Sequence, residues 1–203
     1  MIIEPKRWTQ ALALACDAHH GQMRKGTAVP YLSHLLAVSG LVLELGGDED
    51  QALAGLLHDA LEDGGPSFAQ PIMQALGPRV LGLVQGCTDG LPDSTGAKED
   101  WTTRKRRFLA QLNQAPQEVL LVSLADKLHN AQSIVNDLNT IGLKVFDRFN
   151  ADRQQTCWYY RELAEIFTRL KTPGAGLLQR TVSCLTDRAL EKEPNDKYFN
   201  LGE

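Results

Sequence analysis

The stretch LLHDALED, residues 56–63, places one histidine and three carboxylates beside leucines that read as core residues. Burying such side chains is unfavourable, because a carboxylate that is buried without a charged partner or a metal ion destabilises the fold by roughly several kcal/mol. Residues four apart on a helix share a face, so His58 stacks with Glu62 and Asp59 stacks with Asp63. The stretch therefore predicts a concentrated patch of nitrogen and oxygen ligands on one helix.

The rest of the chain shows helical periodicity and no convincing strand alternation. Asp48 is a plausible N-cap for the helix that contains the LLHDALED stretch, and Ser67 is one for the next helix. Apolar spacing and the Gly and Pro positions predict helices over residues 8–18, 32–45, 48–63, 67–76, 79–87, 101–113, 116–138, 144–150, 152–171 and 175–191. The predicted fold class is all-α, with one compact multi-helix domain over residues 1–192 and an extended tail at 193–203.

Composition and charge narrow the classes of function. The 203 residues are 43% hydrophobic, which is enough for a sizeable core, and the net charge of −4 argues against general nucleic-acid binding. No apolar run approaches the roughly 18 residues of a membrane helix, and MIIEPKRWTQ lacks the apolar region of a signal peptide. Four widely spaced cysteines are typical of free thiols in a reducing compartment. We therefore expect a soluble cytoplasmic protein without a membrane or nucleic-acid partner, and a homo-oligomer stays open.

Other predicted helices contain further polar residues that can reach the same patch. His34 lies early in the preceding helix, and Asp126 lies one turn before Asn130 in the long later helix. A bundle can bring His34, His58, Asp59 and Asp126 to one point, where two imidazoles and two carboxylates suit Mn, Fe, Co or Zn. Each position also has an ordinary structural interpretation. A lone histidine on an apolar helix is usually a core residue, and an Asp/Asn pair often caps or bridges helices.

Three stretches, in this order, resemble the HD metal-dependent phosphohydrolases. They are MRKGTAVPYLSH (23–34), LLHDALED (56–63) and SLADKLHN (123–130). Within that superfamily they are similar to the hydrolase domain of Rel/Spo alarmone enzymes, especially its small stand-alone members, over about residues 8–165. The resemblance implies an HD-domain helical bundle and one manganese ion. The residues that it implies as metal ligands are His34, His58, Asp59 and Asp126.

The resemblance also implies roles for residues around the ion. Glu62 and Asp63 match the catalytic acidic pair, which can orient a water molecule and move protons. Lys105 belongs to a run of four basic residues, of which one or two can face a single site. The residues expected to contact the substrate are Arg24, Lys25, Asn130, Lys105 and Arg148. The adjacent His129 is expected to pack against a neighbouring helix or to bond a backbone carbonyl.

The implied function is a small manganese-dependent alarmone hydrolase that removes the 3′-diphosphate of a nucleotide as pyrophosphate. Leu35 stands where the family usually has proline. Residues 86–89 (GCTD) stand where the family more commonly has a hydrophobic residue followed by threonine and lysine. These departures leave both (p)ppGpp and (p)ppApp open as substrates. Two alternatives remain at this stage. One is a broader HD nucleotide phosphatase acting on NADPH or nucleoside monophosphates, and the other is a nucleotide sensor without turnover.

Overall fold

The computed structural model describes residues 3–90 and 99–190, and within these ranges the regular structure is helical. The α-helices are α1 (Pro5–Ala18), α2 (Leu32–Glu44), α3 (Glu49–Leu57), α4 (Ala60–Asp63), α5 (Ala69–Leu76), α6 (Pro78–Cys87), α7 (Trp101–Leu112), α8 (Gln117–Ile141), α9 (Arg153–Arg169) and α10 (Ala175–Leu190). Two 3₁₀ helices cover Pro66–Phe68 and Gly142–Arg148. The prediction of an all-α fold is confirmed. The predicted tail at 193–203 lies outside the described residues.

The predicted helix over 48–63 is wrong in one respect, because it is two helices separated by a turn at His58 and Asp59. The cap at Asp48 is confirmed, since its Oδ1 accepts from the backbone N–H of Gln51 at 3.0 Å and the Gln51 side chain accepts from the Asp48 N–H. In a regular helix neighbouring side chains diverge. The turn instead lets the His58 Nε2 and an Asp59 carboxylate oxygen approach to 3.0 Å.

Two other local predictions also differ from the structure. Ser67 makes no capping hydrogen bond, because it lies inside a 3₁₀ turn and α5 begins only at Ala69. That turn follows Gly65, whose φ of 102° is readily available only to glycine. The helix predicted near 144–150 is the 3₁₀ helix Gly142–Arg148.

The core has two apolar clusters that meet at α8. One cluster contains buried residues of α1, α2, α3, α5 and α6 together with Val122 and Ala125 of α8. The other contains residues of α7, α9 and α10 together with Leu124 and Leu128 of α8. Because α8 packs into both, its polar residue Asp126 is buried in the interior with only 5% exposure. No helix in the described ranges is long and apolar enough to span a membrane.

Candidate metal centre and active site

Three helical segments bring their buried polar side chains together at the centre of the bundle. His34 lies in the first turn of α2, His58 in the turn after α3, and Asp126 in the middle of α8. Their side chains are 0%, 2% and 8% exposed. One ligand atom from each residue lies within 4.8 Å of the other two.

The distances at this centre leave two histidine nitrogens without a proper hydrogen bond. The Nε2 atoms of His34 and His58 lie 3.2 and 3.5 Å from Oδ1 of Asp126. Both nitrogens are buried and lack a hydrogen-bond partner of good geometry among the described residues. Buried polar atoms rarely stay unpaired in folded proteins. Two unpaired imidazole nitrogens that face one carboxylate oxygen therefore form an arrangement that could hold a metal ion.

The other ring nitrogen of His58 supports the same interpretation. Nδ1 of His58 lies 2.8 Å from the carbonyl oxygen of Gly55. A carbonyl oxygen can only accept, so Nδ1 must hold a hydrogen, and the neutral form of the ring then presents the lone pair of Nε2 to the centre. This is the tautomer that a metal ligand requires. The donor set of imidazoles and carboxylates fits a divalent transition metal.

Charged neighbours keep the Asp126 carboxylate ionised despite its burial. Nζ of Lys127 and Nδ2 of Asn130 each lie 2.6 Å from one of its oxygens. Burial, the largest influence, raises the pKa of Asp126, but Lys127 and His58 together hold that pKa well below its usual range. Burial lowers the pKa of His58, but the carboxylates of Asp59 and Asp126 together raise this pKa well above its usual value. An ionised Asp126 is what a cation at this centre would need.

Asp59, the fourth predicted ligand, lies beside the three-residue cluster. Its Oδ2 is 3.0 Å from Nε2 of His58 and also accepts a short hydrogen bond from the hydroxyl of Tyr31. Burial is the largest single influence and raises the pKa of Asp59, but the charge and hydrogen bond of His58, together with the charge of His34, lower this pKa below the usual range. Tyr31 therefore orients this carboxylate toward the centre. Tyr31 lies directly before α2, so the same segment of chain supplies both His34 and the partner of Asp59.

The predicted catalytic pair, Glu62 and Asp63, lies on α4 within one helical turn of Asp59. The backbone N–H of Asp63 donates to the carbonyl of Asp59 at 2.9 Å. Nε2 of Gln22 donates to Oδ2 of Asp63 at 2.9 Å, and Nη1 of Arg104 lies 3.9 Å from Oε1 of Glu62. Each carboxylate is thus oriented by a different part of the chain.

A cavity of about 750 Å³ opens beside this centre. Four of its lining residues, Arg24, Lys25, Asn130 and Arg148, were predicted to contact the substrate. Nη1 of Arg24 donates to Oδ1 of Asn130 at 3.1 Å, and Asn130 donates in turn to Asp126. The cavity wall is therefore linked by hydrogen bonds to the candidate metal centre.

Arg148 enters this cavity from the 3₁₀ helix after α8. Its Nη1 donates to Oδ2 of Asp137 at 2.7 Å, and its side chain lies over Gly26. A Cβ added to Gly26 would stand 2.6 Å from the Arg148 side chain, so the arginine occupies space that only glycine leaves open. This packing joins the loop before α2 to the end of α8.

Lys105 lies in an adjoining cavity of about 260 Å³, lined by Lys25, Arg104, Lys127 and Asn130 among others. The Lys105 ammonium pairs with Asp89, which also binds Nη1 of Arg104 at 2.8 Å. Burial, followed by the charge of Lys127, lowers the pKa of Lys105 in spite of Asp89. Of the basic run near the start of α7, Arg104 and Lys105 therefore face the active-site region.

Several residues that shape this site were not predicted as site residues. Gln22 contacts Asp63, and Tyr31 contacts Asp59. Asp89 contacts Lys105, Lys127 contacts Asp126, and His129 contacts His34. Lys127 and His129 lie within the SLADKLHN stretch, so their position in the sequence was a usable signal. The contacts of Gln22 and Asp89 depend on the assembled fold. His129 packs against the ring of His34 on the neighbouring helix α2, which confirms the first of the two expectations for this residue.

Comparison with known proteins identifies the family of this chain. The family model for the HD domain matches residues 11–157. The chain belongs to the HD domain family. The match includes all three stretches that carried the resemblance, and the predicted relationship to the Rel/Spo hydrolases is confirmed by the relatives below.

Curated relatives of this HD domain include two bacterial proteins. The chain is 37% identical over 127 residues to a probable guanosine-3′,5′-bis(diphosphate) 3′-pyrophosphohydrolase of Synechocystis, which covers 62% of this chain and 16% of that protein. It is 33% identical over 131 residues to the bifunctional (p)ppGpp synthase/hydrolase SpoT of Escherichia coli K12, covering 64% of this chain and 18% of that protein. The chain thus spans about a sixth of the length of these relatives.

Two solved structures share the fold of this HD domain. The protein lmo0812 of Listeria monocytogenes superposes with a TM-score of 0.65 at 25% identity, over 76% of this chain and 99% of that one. A metazoan ortholog of SpoT that hydrolyzes ppGpp superposes with a TM-score of 0.67 at 24% identity, over 93% of this chain and 98% of that one. The second likeness covers nearly the whole chain and shows the fold.

Proposed function

We propose that this HD domain is a manganese-dependent alarmone hydrolase that removes the 3′-diphosphate of (p)ppGpp or (p)ppApp as pyrophosphate. The observation that supports it best is the buried cluster of His34, His58 and Asp126, with two unpaired imidazole nitrogens, beside the acidic pair on α4. The relatives named as guanosine-3′,5′-bis(diphosphate) 3′-pyrophosphohydrolases support the choice of substrate class.

The proposed metal ligands are His34, His58, Asp59 and Asp126. A divalent ion at such a site lowers the pKa of a bound water and polarises a phosphoryl oxygen. The protein's own contribution is to orient these ligands through the partners of their outer atoms: Gly55 for His58, Tyr31 for Asp59, and Lys127 for Asp126. Because the site is buried, its ligands are also shielded from solvent.

Glu62 and Asp63 would perform the proton transfers. In the proposed reaction water attacks the phosphorus attached to the 3′ oxygen, and the bond between that oxygen and phosphorus breaks to release pyrophosphate. Between them, the two carboxyl groups take a proton from the attacking water and deliver one to the departing 3′ oxygen. A hydrogen bond from Gln22 orients Asp63, and the guanidinium of Arg104 lies 3.9 Å from Glu62.

The basic residues of the two cavities would bind the nucleotide. Arg24, Lys25 and Arg148 line the larger cavity, and Lys105 lines the smaller one. In a chain whose net charge is −4, these residues concentrate positive charge at the cavities, which favours binding of an anionic polyphosphate. We also propose a cytoplasmic location, which the four widely spaced cysteines support, because such cysteines are typical of free thiols in a reducing compartment.

The test is a product assay with purified metal-free protein reconstituted with Mn²⁺, and with Mg²⁺ or Zn²⁺ for comparison. The substrates are ppGpp, ppApp, NADPH and nucleoside monophosphates, with products separated by anion exchange. We expect one pyrophosphate per ppGpp or ppApp consumed, and fastest turnover with Mn²⁺. Release of orthophosphate alone would favour the broader nucleotide phosphatase, and binding without turnover would favour the sensor.

A further inference from the structure

The Nδ1 atom of His34 faces another histidine, His129 of α8. The two Nδ1 atoms lie 2.8 Å apart, and the ring centroids are separated by 4.8 Å. The outer nitrogen of the other candidate metal histidine, His58, instead faces the carbonyl oxygen of Gly55. The two imidazoles therefore differ in what holds them: a carbonyl only accepts, whereas a histidine nitrogen can donate or accept depending on its tautomer.

A metal ion at His34 determines which of these alternatives applies. A nitrogen that ligates a metal has no hydrogen, so the hydrogen of a neutral His34 ring must be on Nδ1 once Nε2 binds the ion. That hydrogen then points at Nδ1 of His129, which must accept it and hold its own hydrogen on Nε2. With the opposite tautomers, Nε2 of His34 would carry a hydrogen and could not bind a metal.

The position of His129 in the sequence gives this contact a structural basis. Asp126, His129 and Asn130 stand at i, i+3 and i+4 on α8, so their side chains share one face of that helix. One turn of α8 thus brings a candidate ligand, the partner of a second candidate ligand and a wall residue of the cavity to the same site. The backbone carbonyl of His129 also accepts a hydrogen bond from the side-chain hydroxyl of Ser133 at 2.9 Å.

We propose that His129 is a positioning residue for the metal centre: its Nδ1 accepts the Nδ1 hydrogen of His34 and fixes the tautomer that leaves Nε2 of His34 free for the ion. This inference rests on the proposed metal site and assigns to His129 a role that it exerts through His34. Partners of this kind typically change metal affinity about 10- to 100-fold when they are removed.

The test compares His129→Leu and His129→Asn with the wild-type full chain. Leucine removes the acceptor, whereas the Oδ1 of asparagine can accept close to where the histidine Nδ1 did. His20→Leu serves as the matched control, because it removes an exposed histidine of α1's C-terminal turn. Titration calorimetry with MnCl₂ on the metal-free proteins measures the Kd without any substrate.

We expect His129→Leu to raise the Kd for Mn²⁺ about 10- to 100-fold, His129→Asn to recover most of that loss, and His20→Leu to leave the Kd unchanged. An unchanged Kd in His129→Leu, or an equal loss in the asparagine variant, would overturn the inference. Wild-type protein that binds no divalent ion would overturn it together with the metal site. Wild-type protein that binds Mn²⁺ but hydrolyses no alarmone would contradict only the proposed function.

A second measurement needs no variant and applies even if His129→Leu fails to fold. Nitrogen NMR of the histidine rings in the Zn²⁺-loaded wild-type protein reports which ring nitrogen holds each hydrogen. The expected result is a hydrogen on Nδ1 of His34 and on Nε2 of His129. A hydrogen on Nδ1 of His129 would contradict the proposal directly.

Discussion

Replacing Asp126 with asparagine should destabilise the metal-free protein markedly. Asp126 forms an ion pair with the buried ammonium of Lys127, whose side chain is 13% exposed. Removing one partner of a buried pair costs about 3–5 kcal/mol, because the other charge stays desolvated and unpaired. We expect about 3 kcal/mol, the lower end of that range. His58, whose pKa Asp59 and Asp126 raise, can lose its proton and so relieve part of the excess positive charge.

The same substitution should also abolish stabilisation by manganese. A ligand that binds only the folded state at 100 times its Kd stabilises that state by about 2.7 kcal/mol. Urea unfolding of wild-type protein in EDTA and in Mn²⁺ should show this gain, and Asp126→Asn should show none. Asp137→Asn is the matched control, because Asp137 also lies on α8 but its side chain is 36% exposed and pairs with Arg148.

Each part of this prediction can fail separately. The control should lose less than about 1 kcal/mol and keep the full manganese effect, as expected for an exposed ion pair. Metal-free Asp126→Asn with wild-type stability would refute the buried-pair argument. Asp126→Asn with an undiminished gain from Mn²⁺ would refute the role of this carboxylate as a ligand.

Three further changes test the rest of the site and the fold. Glu62→Gln should lower kcat about 10²- to 10⁴-fold with unchanged metal content, and near-normal turnover on every alarmone would refute its role. Arg24→Ala should raise KM for the nucleotide more at low salt than at high salt, as seen in steady-state kinetics, and a salt-independent KM would contradict an electrostatic contact. Asp48→Ala should lose about 1 kcal/mol in urea unfolding at pH 7, and Asp48→Asn less, because asparagine also caps helices. Burial raises the pKa of Asp48, but hydrogen bonds from Arg79 and Gln51 lower it below 3.8. The stabilisation that depends on the charge of Asp48 is therefore fully present above pH 3.8 and should be lost as the pH falls through the lowered pKa.

Local chemistry made much of this molecule predictable from its sequence. Apolar spacing and punctuating Gly and Pro residues mark most helices, and the capping box at Asp48 is visible in the residues themselves. A set of His, Asp and Glu residues in apolar helices demands compensation, so the residues alone allowed His34, His58 and Asp126 to meet, and the resemblance to the HD phosphohydrolases implied that they do.

Contacts that depend on tertiary packing were not predictable in the same way. The break at His58 and Asp59 has no Gly or Pro to mark it in the sequence. The Nδ1 contact between His34 and His129 joins helices 95 residues apart in sequence. The pairing of Lys105 with Asp89 likewise depends on how α7 packs against the end of α6.

The most direct test of the account is anomalous diffraction at the manganese absorption edge from crystals of the Mn²⁺-loaded protein. The account predicts one strong peak among Nε2 of His34, Nε2 of His58 and Oδ1 of Asp126, within bonding distance of all three and with Asp59 beside it. A map with no peak at that position, or with His34 or Asp126 turned away from a peak elsewhere, would contradict it.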